Sequence, residues 1–201
     1  VPISPFTSMA NKDMYVGKAF DNRVGCAIAV ETLRNLKEKG HPNQLFAVGT
    51  VQEEVGLRGA QTAGTLVDPD VAFAFEVAIA GDTPGVDENK ARAKLGKGPV
   101  IFLMDRSLIP NLRLRDLAIE TAKELGIEYQ VDIMEGGGTD AGRISMVHRG
   151  VPSLCIGVPT RYIHSHTGVI NIQDYYKAIE LTSAIVAKLD EETVASIKKV
   201  W

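Results

Sequence analysis

The chain of 201 residues is 45% hydrophobic and 23% charged, the balance of a globular chain long enough to bury one core, which excludes a disordered or fibrous protein. Its 22 Lys and Arg are scattered among 25 Asp and Glu for a net charge of −3, so no basic footprint for nucleic acid or an anionic lipid surface is present. Apolar stretches such as 71–75 and 155–158 fall far short of the roughly 20 residues that span a bilayer, and no basic segment followed by an apolar one opens the chain as a secretory signal would.

Taken in order, Val24, Ala27, Ile28, Val30 and Leu33 recur at helical spacing and predict a helix over 22–39, ended by Gly40, His41 and Pro42. The Val-rich run 45–51 predicts a strand covered on both faces. A short helix over 57–66 and a second buried strand over 71–77 follow, separated by the Asp68-Pro69 turn. Strands over 100–104, 129–133 and 153–158 alternate with helices over 111–125, 139–148 and 172–189, the last opening near Asn171. This alternation predicts an α/β sheet with helices on both faces, whose ligands sit outside the carboxyl ends of the strands. Cys26 and Cys155, far apart and in apolar contexts, predict buried thiols in a reducing compartment, hence the cytoplasm.

Chemically loaded residues collect near predicted strand ends. Gln52-Glu53-Glu54 follows the run that ends at Val51, and adjacent carboxylates there can take different roles; a solvated acidic turn is the plain alternative. Asp21 precedes the first helix, where it can cap free N–H groups, bind a metal, or both. Glu76 interrupts an otherwise apolar strand and needs a cation or a hydrogen-bond partner, a metal ion or an Arg. His164 and His166 follow the last strand directly and can face one cleft, whereas His41 and His148 sit in ordinary positions. The glycine-rich turn 136–138, with Thr139 and Asp140, lacks the Lys of a phosphate loop and reads as a pocket wall, Asp140 capping or orienting. No serine lies in a nucleophile elbow and neither cysteine has a local catalytic signature, so Asp21, Glu53, Glu54, Glu76 and His164 remain, the composition of a metal hydrolase site.

The motifs AFDNRVG at 19–25, GTVQEEVGLRGA at 49–60, IAGDTPG at 79–85, GTDA at 138–141 and PTRYIHSH at 159–166 together resemble the dinuclear-metal aminopeptidases. The subgroup includes tetrahedral and bacterial glutamyl aminopeptidases, some of which carry an endoglucanase label. The resemblance runs from about Met9 to about Leu189. It implies a three-layer zinc-peptidase-like domain with a central, mostly parallel sheet, and a metalloaminopeptidase that cleaves the N-terminal residue from peptides. Asp21 matches the carboxylate bridging two divalent ions, Zn or Co; Glu54 and His164 match ligands of one ion, and Glu76 falls where the family places a carboxylate on the other. Glu53 matches the general base, while Arg161, His166 and Thr139 lie where substrate is touched.

Family members carry an H-x-D element and a small β-rich insert ahead of the bridging Asp, and assemble as homo-oligomers, dodecamers among them. No H-x-D precedes Asp21, and residues 1–11 resemble the tail of that insert, with 12–201 the catalytic domain lacking its N-terminal segment. A catalytically incomplete fragment that binds metal or oligomerises is therefore the alternative. A glycoside hydrolase using Glu53 and Glu54 ranks last, because glycosidase carboxyls stand about 5–9.5 Å apart across the sugar.

Overall fold

In chain order the computed structural model, which describes residues 7–9, 11–87 and 89–199, runs β1 (Thr7–Ser8), β2 (Met14–Gly17), α1 (Phe20–Lys39), α2 (Arg58–Val67), β3 (Ala72–Ile79), β4 (Val100–Asp105) and α3 (Leu112–Glu124). It continues through β5 (Gln130–Met134), α4 (Asp140–Ile144), β6 (Ser153–Arg161), β7 (Gly168–Asn171), α5 (Ile172–Ala187) and α6 (Glu191–Lys198). All strands join one sheet built around β6. β3 lies parallel to it from Ala72 opposite Ser153 to Ile79 opposite Thr160. On the other side β4 meets the middle of β6 antiparallel and passes the sheet on to β5 in parallel, while β7, β2 and β1 extend it antiparallel. Parallel pairing thus supplies the two longest ladders of a mixed sheet.

The alternation of side chains along a strand divides the core into two layers. Leu154 and Ile156 of β6, with Ile101 of β4, pack against Leu114 and Ala118 of α3 and Leu181 and Ile185 of α5. Val158 meets Val24 and Ile28 of α1 on the same side. Cys155, Val100, Phe102 and Ala74 face the opposite way, onto Ala141 of α4. β6 is therefore covered on both faces, as its unbroken apolar run requires. The result is a helix–sheet–helix sandwich, the three-layer α/β arrangement.

The run 45–51 departs from expectation. It belongs to no strand, and Phe46, Val48 and Val51 are 53%, 48% and 67% exposed. An apolar run becomes a strand when a neighbour supplies ladder partners, and among the described residues none lies beside it. The helix expected over 139–148 is confined to α4, because the chain turns from Ser145 and His148 adopts a left-handed φ of 50°. Cys155 is buried as anticipated, but Cys26 is exposed: Val24, Ile28, Thr32 and Leu36 define the inner stripe of α1, and Cys26 lies on the other side. Of residues 1–11, Thr7–Ser8 pair with β2, while 1–6 and 10 lie outside the described residues.

Candidate metal centre

Asp21 reaches the site because α1 does not start as a regular helix. Ala19 is left-handed, and Asp21 and Asn22 are non-helical. The cap is Asn22, whose Oδ1 accepts from Gly25 N at 2.8 Å, so the expectation that Asp21 caps the helix is corrected and its carboxylate is left for other work. Asn22 Nδ2 donates to Phe75 O at 2.6 Å and to Glu76 Oε2 at 2.8 Å, fastening this opening to β3. Gly25 makes that approach possible, since a Cβ there would stand 2.3 Å from Phe75 O.

Glu53 and Glu54 lie on the turn entering α2. Gln52 is left-handed, Glu53 O accepts from Gly56 N at 3.0 Å and Leu57 N at 2.8 Å, and Leu57 is again left-handed. His164 sits on the connection from β6 to β7, where Tyr162 and His164 have φ of 59° and 58°. Such conformations cost non-glycine residues about 1–3 kcal/mol each, and three of them, Ala19, Tyr162 and His164, line one cleft. The His164 turn is supported by Ser165 Oγ, 2.7 Å from Tyr162 O and 2.8 Å from Thr167 O, and by Arg161, whose guanidinium donates to both oxygens of Asp82 at 3.1 and 2.6 Å.

These three elements bring Asp21, Glu54 and His164 together. His164 Nε2 lies 3.2 Å from Asp21 Oδ2 and 3.5 Å from Glu54 Oε2, and one ligand atom from each residue falls within 4.8 Å of the other two. Two carboxylate oxygens and an imidazole nitrogen form a donor set suited to Zn²⁺, Co²⁺ or Mn²⁺. Asp21, Glu54, His164 and His166 line a cleft of about 390 Å³. A larger groove of about 800 Å³ between α1 and α5 contains none of these residues.

Glu76 stands apart from the trio, buried within β3 on the side of Ala74 and Ala78, and its polar partner is Asn22 rather than an arginine. Burial, reinforced by Glu53, Asp21, Asp140 and Glu54, pushes its carboxyl up to about 9. Glu53 is raised to about 7 by burial, then by Asp140, Glu54 and Asp21, against His164. Asp21 is raised by burial and by Glu54, against His164. Carboxylates crowded into low-dielectric surroundings repel, and a divalent cation relieves that repulsion.

The remaining expectations separate. His166 is exposed beside the cleft. Thr139, expected to touch substrate, is buried, and its hydroxyl donates to Asp105 Oδ2 at 2.8 Å, which makes it a support of the turn. Arg161 is occupied by Asp82. Asp140 does not cap α4; its Oδ2 accepts from Thr50 Oγ1 at 2.5 Å. Sequence reading passed over Asn22, Thr50, Asp82 and Asp105. Asn22 alone had a local signal, a capping residue three positions before Gly25.

The profile of the M42 glutamyl aminopeptidase family matches residues 1–181. A putative aminopeptidase of Acetivibrio thermocellus is 43% identical over 169 residues, 84% of this chain and 50% of that protein. The TET aminopeptidase of the marine sediment archaeon Thaumarchaeota archaeon SCGC AB-539-E09 superimposes with a TM-score of 0.94 at 49% identity, over 98% of this chain and 55% of its own. A TET1 peptidase of Pyrococcus horikoshii, described as assembling into a tetrahedron or a large octahedral shell, gives a TM-score of 0.78 at 31% identity, covering 92% of this chain and 53% of its own. The chain spans about half the length of the curated relatives it matches.

Proposed function

The chain belongs to the M42 glutamyl aminopeptidase family, and on that premise we propose that it serves a metal-dependent aminopeptidase hydrolysing the N-terminal bond of peptides. The observation that carries the proposal is the convergence of Asp21, Glu54 and His164 at an open cleft, with Glu53 next to one of them in the chain. Asp21, Glu54 and His164 would hold one divalent ion, Zn or Co, and Glu76 would help hold a second. When bound, such an ion supplies Lewis acidity that polarises a peptide carbonyl and acidifies water.

The chain's own residues do the rest. A carboxylate oxygen of Glu53 accepts the proton of the attacking water as its oxygen bonds to the carbonyl carbon, then delivers that proton to the departing amine nitrogen as the C–N bond breaks. Asn22, holding Glu76 and the start of α1, keeps Asp21 aimed at the cleft. Arg161 and Asp82 steady the turn that presents His164. His166, exposed at the rim, contacts the peptide.

The likeness to the assembling TET1 peptidase supports a homo-oligomer. Among the described residues no helix is long and apolar enough to cross a membrane, and the free thiols of Cys26 and Cys155 fit a reducing compartment, so we place the protein in the cytoplasm.

The test is release of p-nitroaniline from aminoacyl-p-nitroanilides with Zn²⁺ or Co²⁺ added, beside a cellulose substrate. Glu53→Gln is expected to lower kcat by about 10²–10⁴-fold. Full activity in that variant overturns the assignment of the base, and hydrolysis of cellulose alone overturns the aminopeptidase reading.

A further inference from the structure

Among the described residues the turn carrying Glu53 is densely hydrogen-bonded on one side and sparsely on the other. From Val51 onward it closes on itself and on α2: Val51 O accepts from Gly59 N at 2.9 Å, Gln52 O from Arg58 N at 3.2 Å, and Glu53 O from Gly56 N and Leu57 N. Before Val51, residues 44–50 enter no strand. Among the described residues one hydrogen bond ties them to the rest of the protein, from Thr50 Oγ1 to Asp140 Oδ2 at 2.5 Å. Thr50 therefore stands where a closely hydrogen-bonded turn meets a run held, among the described residues, by this one hydrogen bond.

Its acceptor is firmly founded. Asp140 opens α4 and is buried; its Oδ1 has no partner among the described residues, so Thr50 is the donor that serves this carboxyl. The preceding residue, Thr139, donates to Asp105 Oδ2 at the end of β4. Asp105 Oδ1 in turn accepts from Ser107 N at 2.6 Å and Ser107 Oγ at 2.8 Å. A continuous support thus runs from the sheet through Asp105, Thr139 and Asp140 to Thr50, three residues before Glu53.

We propose that Thr50 is a positioning residue, whose hydroxyl, anchored on Asp140, sets where the 52–57 turn begins and so where the Glu53 carboxyl stands relative to Asp21, Glu54 and His164. The proposal rests on the reading of Glu53 as the general base. A displacement near 1 Å of a catalytic group costs up to about 10²-fold in rate, so loss of one anchor is felt in turnover before it is felt in folding. Thr50 is half-buried, and Thr50→Val keeps its shape while deleting the donor.

The test compares wild type, Thr50→Val and Thr50→Ser, loaded with Zn²⁺ or Co²⁺, on an aminoacyl-p-nitroanilide. Thr50→Val is expected to lower kcat about 10- to 100-fold while KM and Zn²⁺ affinity stay within about twofold, and Thr50→Ser to return to within about threefold of wild type. Turnover kept within about twofold in Thr50→Val, or a folded Thr50→Ser as slow as Thr50→Val, overturns the proposal. If wild type itself hydrolyses nothing, the aminopeptidase reading fails, and positioning is then judged by hydrogen exchange in the metal-free protein. The Gly56 and Leu57 amides, which bond to Glu53 O, should exchange about tenfold faster in Thr50→Val and near the wild-type rate in Thr50→Ser. Equal rates in all three overturn it. Should Thr50→Val not fold, Thr50→Ala carries the same comparisons.

Discussion

β6 and the run 45–51 look alike in sequence, both short and largely apolar, yet their surroundings are opposite. β6 has strands on both sides and helices on both faces, with Leu154, Ile156 and Val158 fully buried. The other run has no ladder among the described residues and leaves Phe46 and Val48 about half exposed. Apolar character makes a segment able to be a strand; a neighbouring backbone makes it one. The contrast reaches the site, since β6 delivers the His164 turn from a packed layer, whereas Glu53 is reached through the open run and depends on the Thr50 anchor.

Stability should separate the two regions most sharply. Leu154→Ala, which empties a site between α3 and α5, is expected to cost about 3 kcal/mol or more in chemical denaturation, and Phe46→Ala no more than about 0.5 kcal/mol. Comparable losses would mean that the run 45–51 is covered in solution, and the distinction between the regions would fall.

The covered side can also be probed through pH. Burial raises Glu76 from its ordinary 4.5 to about 9, so the folded state holds this proton more tightly than the unfolded chain does. Its contribution is therefore fully present below pH 4.5 and is lost as pH rises through that window toward 9. Thermal unfolding of the metal-free protein should show wild type losing more stability than Glu76→Gln between about pH 5 and 9. Parallel profiles would place Glu76 in water.

Much of this architecture could be read from the chain. β3 to β6 announced themselves as Val, Ile, Phe and Ala runs, and α1, α3 and α5 by helical spacing. The short strands β1, β2 and β7 did not, because four residues such as Met14–Gly17 carry too little periodicity and owe their form to pairing. α6 had a readable start, Asp190 accepting from Thr193 N, but only eight residues to follow it.

At the site, Asp21, Glu54 and His164 were legible as residue types near strand ends, and they converge. Their supports were not, because each joins distant parts of the chain: Asn22 to Glu76 across 54 residues, Arg161 to Asp82 across 79, Thr50 to Asp140 across 90. Thr139 was legible as a residue beside a glycine-rich turn, but the partner of its hydroxyl, Asp105, lies 34 residues away and was not.

The central claim, that Asp21, Glu54 and His164 form a metal site, is tested most directly by calorimetric titration of the metal-free protein with Zn²⁺. His164→Ala should weaken the tightest binding by about tenfold or more, while His148→Ala, whose ring bonds to Thr65 O far along the chain, should leave it unchanged. Equal affinity and stoichiometry in His164→Ala and wild type would contradict the account.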